Sequence, residues 1–247
     1  MTMKIAYKKN LLLLAILLLF SCAPEEPVEV SSLLLQENRY YLEDSDEPFS
    51  GMAVSWYENG QRASELSFLQ GMFAGQQHYW YDNGDRKLAI HINDSLPDGV
   101  FYYQEDDYVF DALYENGVLL SREIRYQLDL STIRQTYADK TLSTLELNAD
   151  NEIMAASEQA YEESALASAS ILNGMLVISF TEEGTLIGRL FFQDGEVIFQ
   201  ENYVDGELSI LLYHERSEGN TIFHCYYDGG SLQAVSDDIC TRLPARN

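Results

Sequence analysis

Along most of the chain, apolar and polar residues alternate in short runs that end at glycine. From Arg62 to Leu69, Leu66 and Phe68 fall on one side of an extended strand and Glu65 and Ser67 on the other. Trp56 and Tyr57 lead into Asn59-Gly60, and the run from Arg62 leads out, so the pair predicts a hairpin. Asn-Gly supplies positive φ at both central positions of a type I′ turn, which is expected at Asn59-Gly60 and again at Asn83-Gly84. Further strands are predicted at 175–180, 186–192, 197–203, 208–214, 221–227 and 231–235, punctuated by Gly184, Gly195, Gly206, Gly219 and Gly230. Residues 121–172 break this rhythm. There, 123–130 and, more weakly, 141–147 alternate as strands do, with Ile124, Tyr126, Leu128 and Leu130 in phase. Residues 151–169 are rich in Ala, Glu and Ser and hold no Gly or Pro, which predicts a helix with a thin stripe of Ile153, Ala156, Ala160 and Ala167. The segment reads as a cap, a linker or an insertion.

The chain also repeats itself. Residues 51–60 run Gly-Met-Ala-Val-Ser-Trp-Tyr-Glu-Asn-Gly and return 24 residues later as Gly-Gln-Gln-His-Tyr-Trp-Tyr-Asp-Asn-Gly at 75–84. Leu66 and Phe68 fall on Ile90 and Ile92, and Gly99 opens a third, degraded copy with Tyr102 and Tyr103, an acidic turn near Asp106-Asp107 and an end at Gly117. Two strands and two turns account for each copy, so the product is an antiparallel meander whose hairpins stack for stability. Residues 226–230, Tyr-Tyr-Asp-Gly-Gly, echo Trp80 to Gly84, and 173–247 reads as a diverged continuation.

Carried by Gly51, Trp56, Tyr57, Asn59, Gly60, Gly71, Gly75, Trp80, Tyr81, Asn83 and Gly84, the pattern over 48–120 resembles the bacterial variant of the MORN repeat. The resemblance implies a solenoid-like sheet used for binding or scaffolding. The expected fold is mainly β, an antiparallel meander of repeated hairpins with a short helical or irregular central segment.

The N-terminus reads as an address. Lys4, Lys8 and Lys9 precede an unbroken apolar run from Leu11 to Phe20, too short to span a membrane. Leu19-Phe20-Ser21-Cys22 follows and resembles the bacterial lipobox, with Phe20 bulkier than the usual occupant. The resemblance implies cleavage before Cys22, acylation of that cysteine, and anchoring through lipid. Ala23 in place of Asp favours an outer-membrane location. The chain then divides into a signal peptide (1–21), a lipidated Cys with its tether (22–47), the repeats (48–120), a connecting segment (121–172) and the diverged β region (173–247).

Charge narrows the partners. With 40 Asp and Glu against 15 Lys and Arg, the net charge of −25 excludes binding to phosphate backbones such as nucleic acid. In an oxidising compartment, Cys225 and Cys240, on either side of Gly229-Gly230, are expected to pair as a disulfide.

Candidate chemistry is sparse. No nucleophile elbow, Walker loop or dinucleotide fingerprint occurs, and the glycines belong to turns. His78 and His91 sit on successive strands and could approach each other, but neither they nor His214 and His224 show a metal-ligand spacing, and they read as strand-surface histidines. Glu105-Asp106-Asp107 and Asp237-Asp238 read as solvated turn acids. No catalytic residue, metal or cofactor is assigned. The aromatics Trp56, Tyr57, Tyr79, Trp80, Tyr81, Tyr102 and Tyr103 recur on the repeated strands and are the candidate binding surface, with cross-strand packing as their other role. The expected function is a non-enzymatic envelope lipoprotein that presents this surface to a protein partner. The alternative is a surface glycan-binding lipoprotein, and an enzyme built on 121–172 ranks third.

Overall fold

In a computed structural model of the chain, residues 26–105, 108–138, 141–160, 166–205, 207–215, 221–228 and 231–234 are described. The Cys22 and Cys240 assignments therefore lie outside the described residues, as do the signal peptide and the acidic pair Asp106-Asp107.

The described chain is almost wholly antiparallel β, a succession of hairpins as the alternation predicts. The repeat region forms β4 (Gly51–Trp56), β5 (Arg62–Leu69), β6 (Met72–Trp80), β7 (Arg86–Asn93), the short β8 (Leu96–Pro97), β9 (Gly99–Gln104), β10 (Tyr108–Glu115) and β11 (Val118–Tyr126). Before it, β1 (Val28–Glu29) pairs in parallel with β4, and β2 (Leu33–Gln36) pairs with β3 (Arg39–Leu42) in a separate hairpin. An arm of β12 (Thr132–Ala138), β13 (Thr141–Leu147) and β14 (Ile153–Ala160) continues from β11. The final meander comprises β15 (Leu166–Leu172), β16 (Met175–Glu182), β17 (Thr185–Gln193), β18 (Glu196–Val204), β19 (Glu207–Glu215), β20 (Thr221–Asp228) and β21 (Ser231–Ala234).

Three expectations give way. First, the helix over 151–169 is replaced by β14 and β15. Helix propensities of Ala, Glu and Ser differ from those of other residues by only tenths of a kcal/mol, so tertiary context overrides them. In β15 that context is visible: Ala167, Ala169 and Ile171 are buried and Ser168 and Ser170 are not, a strand period of two. Second, the strand expected over 123–130 ends at Tyr126. Leu128 and Leu130 are exposed, and Leu130 has φ +58° in a turn closed by Tyr126 N–H to Ser131 O. Third, 28–42, expected within the tether, forms β1 to β3. Tyr40 and Phe49 close over Phe68, with ring centroids at 5.1 and 5.6 Å.

The turns are also of two kinds. At Asn59-Gly60 and Asn83-Gly84 only the glycine has positive φ (+82° and +89°), so these are not type I′ turns. Gly60 N–H donates to Tyr57 O, and Tyr57 N–H donates to Gln61 O, which makes a three-residue loop ending in a left-handed glycine. The Asn59 side chain holds the loop by accepting from Gln61 N–H at 2.9 Å, and Asn83 does the same for Asp85 N–H. Two-residue turns with both φ positive occur instead at Gln70-Gly71, Asp94-Ser95, Asn116-Gly117, Asn173-Gly174, Glu183-Gly184 and Asp194-Gly195.

The ladder folds over into two packed layers. The inner face of β4–β11 supplies Leu66, Phe68, Leu88, Ile90, Ile92 and Phe101 to the core, and β15–β18 supply Ala169, Ile171, Leu176, Ile178 and Phe192. β15 bonds to adjacent hairpin turns in succession, Ala167 N–H to Gly117 O and Ala169 N–H to Ser95 O. At the far end of β17, Phe192 meets Phe101 and Tyr103 edge-on at 6.0 and 5.5 Å. The next turn seats Gly195 on Tyr79, where a Cβ would lie 2.5 Å from the Tyr79 Cβ. Lys87, almost fully buried, is paired there with Glu196.

Candidate functional site

The repeat register builds a surface on the outer face of the first layer. Trp56 pairs across the hairpin with Arg62, and Trp80 pairs with Arg86 one repeat later. The Arg62 guanidinium lies 5.3 Å from the Trp56 ring and 6.0 Å from that of Trp80, so it bridges two copies. His78 stacks on Trp80 with centroids 5.5 Å apart, and Arg86 lies 5.8 Å from the Tyr102 ring. The result is a ladder that crosses the sheet: Trp56, Arg62, Trp80, Arg86, Tyr102. Trp56 is 49% exposed, Arg62 also forms an ion pair with Glu65, and Trp80 and Tyr102 are half-buried. Burial and the nearby Arg86 hold His78 below its ordinary pKa, against a smaller opposing effect of Glu65. His91 lies on the same face, and the Nδ1 atoms of His78 and His91 are buried without a hydrogen-bond partner.

The remaining candidate aromatics do other work. Tyr57 donates its hydroxyl proton to Trp80 O at 2.6 Å, and Tyr81 donates to Gln104 O at 2.7 Å. The tyrosine of each copy thus stitches its turn to the strand end of the next, and Asn59 adds a bond to Asp82 O at 2.7 Å. Tyr79 and Tyr103 point into the core. Burial pushes both phenols well above their ordinary range, as it does for Tyr114. Tyr103 donates to Glu105 and accepts from Val197 N–H of the second layer at 3.3 Å. Cys225 lies on β20, paired with Leu211 and Ala234.

Between the layers, next to this core, lies a cleft of about 610 Å³. Tyr108, Phe110 and Ile124 line one wall, Phe180 and Leu190 the other, and Arg122 reaches into it from β11. Sequence reasoning overlooked the cleft because its named walls are at least 56 residues apart in the chain. One signal was available: Arg122 stands in phase with the apolar positions Ile124 and Tyr126. The ladder's arginines were overlooked too, although Arg62 and Arg86 fall 24 residues apart, on the repeat. Among the described residues, no group of three or more His, Cys, Asp or Glu could hold a metal ion. No helix among the described residues is long and apolar enough to cross a membrane.

Comparison of the chain with protein families, with curated proteins and with solved structures found no match.

Proposed function

We propose that this protein is a lipid-anchored cell-envelope lipoprotein, held at the outer membrane through Cys22, that acts as a non-enzymatic interaction module through its MORN-like repeats. The ladder of Trp56, Arg62, Trp80, Arg86 and Tyr102 carries this reading. Trp, Tyr and Arg are the residues that dominate binding energy at protein interfaces, and here they form one contiguous stripe on a rigid sheet. A protein partner is favoured over a glycan because Arg62 already lies over the Trp56 ring, on a face that a sugar would stack against. The excess of acids limits adsorption to anionic lipid heads and leaves the acyl anchor to hold the chain at the membrane. From Cys22 to Val28 the tether has six steps of about 3.3–3.6 Å, so the start of β1 stays within about 22 Å of the anchor.

In-cell cross-linking tests the surface. A photoreactive residue placed beside Trp80 is expected to capture a discrete envelope protein, and the double variant Trp56→Ala/Trp80→Ala is expected to lose it. Capture that is unchanged in the variant overturns the reading, and glycan-array binding that depends on Trp56 replaces it with the glycan one. Cys22→Ser is expected to move the protein out of the membrane fraction; continued membrane association overturns the anchor.

A further inference from the structure

Arg122 is an anomaly of charge. Acids outnumber bases 40 to 15, and Arg62, Arg125, Arg134, Arg189 and Lys87 each pair with a carboxylate. Arg39 and Arg86 form no ion pair among the described residues, and both are exposed to water. Arg122 is half-buried, lines the cleft between the layers, and has no ion-pair partner among the described residues. Its placement follows from the register. Arg122 opposes Ala112 and stands in phase with Ile124, which opposes Phe110, so its side chain emerges on the face that supplies the apolar wall. Its hydrogen-bond partner among the described residues is neutral: Nε donates to Oε1 of Gln135, whose amide is oriented by donating to Thr144 Oγ1 at 3.1 Å.

A half-buried cation is costly unless a counter-charge meets it. The described residues supply none, while the cavity beside it, of about 610 Å³, has the size of a small-molecule site. Its walls are aromatic and aliphatic, which suits a flexible apolar chain, and the guanidinium offers a fork matched to a carboxylate or phosphate. We propose that the cleft binds an anionic amphiphile, a long apolar chain with one carboxylate or phosphate head, the chain lying between Phe110 and Phe180 and the head on Arg122. This site is separate from the outer ladder and does not depend on it.

The test uses the full chain purified from membranes into lipid nanodiscs, with three photoreactive probes: a long-chain fatty acid, the matching fatty alcohol and a lysophosphatidylglycerol. Cross-linked peptides are mapped by mass spectrometry. An anionic probe is expected to label the segments that carry Ile124 and Leu190, and the alcohol is expected to label them about tenfold less, the ratio that one charge-assisted bond of about 1.4 kcal/mol sets. The stronger of the two anionic probes identifies whether a carboxylate or a phosphate head is preferred. Arg122→Gln is expected to cut labelling about tenfold, Arg122→Lys to retain most of it, and Gly188→Leu, which fills the cleft from β17, to abolish it. Equal labelling by acid and alcohol in the wild-type protein overturns the proposal, whatever the variants do. So does labelling elsewhere, or labelling that neither Arg122→Gln nor Gly188→Leu changes.

Discussion

The two layers are built from the same hairpin unit and use their faces differently. In the first layer one face is core and the other meets water, with Trp56 49% exposed and charged side chains between the aromatics. In β16–β18 both faces are apolar. Leu176, Ile178 and Phe192 enter the shared core, while Val177, Phe191 and Phe199 are buried on the opposite side, the last two stacked at 4.0 Å. Unbroken apolar runs such as Met175 to Ile178 belong to strands covered on both sides, and strict alternation belongs to strands covered on one. The turns diverge in the same way. The first layer alternates a three-residue loop with a two-residue turn, whereas the second uses two-residue turns at 173–174, 183–184 and 194–195. The lesson is a division of labour: the first layer leaves its outer face to water, and the second gives its faces to packing.

If that division is right, the largest effect comes from the turn that seats one layer on the other. Gly195 has φ +76° and no room for a Cβ against Tyr79, whereas Gly60 has φ +82° and open space around it. Gly195→Ala is expected to cost about 3 kcal/mol or more through combined strain and overlap, and Gly60→Ala about 1–2 kcal/mol through strain alone, read by urea unfolding. Similar losses at both positions would remove the distinction between the turns.

A smaller effect separates buried from exposed ion pairs. Glu196→Gln leaves the Lys87 ammonium buried between the layers and is expected to cost about 1.5–3 kcal/mol. Glu123→Gln disturbs the outer network with Arg125 and Arg134, where solvent screens the charges, and is expected to cost less than about 1 kcal/mol. A larger loss at Glu123 than at Glu196 would place the stabilising charge on the outer face instead.

The smallest effects are those of pH, and the two faces respond at opposite ends. Burial holds the phenols of Tyr79, Tyr103 and Tyr114 protonated while those of the unfolded chain ionise from about 10, so stability is retained below that pH and falls as pH rises above it. On the outer face, burial and Arg86 hold His78 neutral while the unfolded chain takes up a proton near 6.5, so stability falls as pH drops below 6.5. Tyr79→Phe should flatten the alkaline limb and His78→Gln the acid one, measured as unfolding midpoints across pH. An acid limb unchanged in His78→Gln would show that the ladder histidine titrates as an exposed one does.

Much of the fold could be read from local pattern. Alternation placed β5 and β7, the 24-residue register placed Trp56 on Trp80, and the glycine punctuation placed the hairpins of the second layer. The failures have specific causes. Residues 151–169 carry good helix formers, but that preference is worth only tenths of a kcal/mol per residue, and strand pairing with β13 and β16 outweighed it. Asn59-Gly60 has the composition of a type I′ turn, but Tyr57 and Gln61 close a longer loop around it. The seven candidate aromatics look equivalent in the repeat, and the tertiary structure assigns them three roles: exposed or half-exposed ladder for Trp56, Trp80 and Tyr102, stitching between copies for Tyr57 and Tyr81, and core for Tyr79 and Tyr103.

The sequence by itself determined the local elements, because strand period, turn composition and the spacing of repeats depend only on residues near one another in the chain. It likewise determined the acidity and the absence of familiar catalytic motifs. Only the tertiary structure decided how the hairpins fold over into packed layers and where Gly195 meets Tyr79. It also brought Arg122, without a counter-charge among the described residues, to an apolar cleft walled by residues from both halves of the chain. Those outcomes depend on contacts between segments far apart in sequence, which no local pattern encodes.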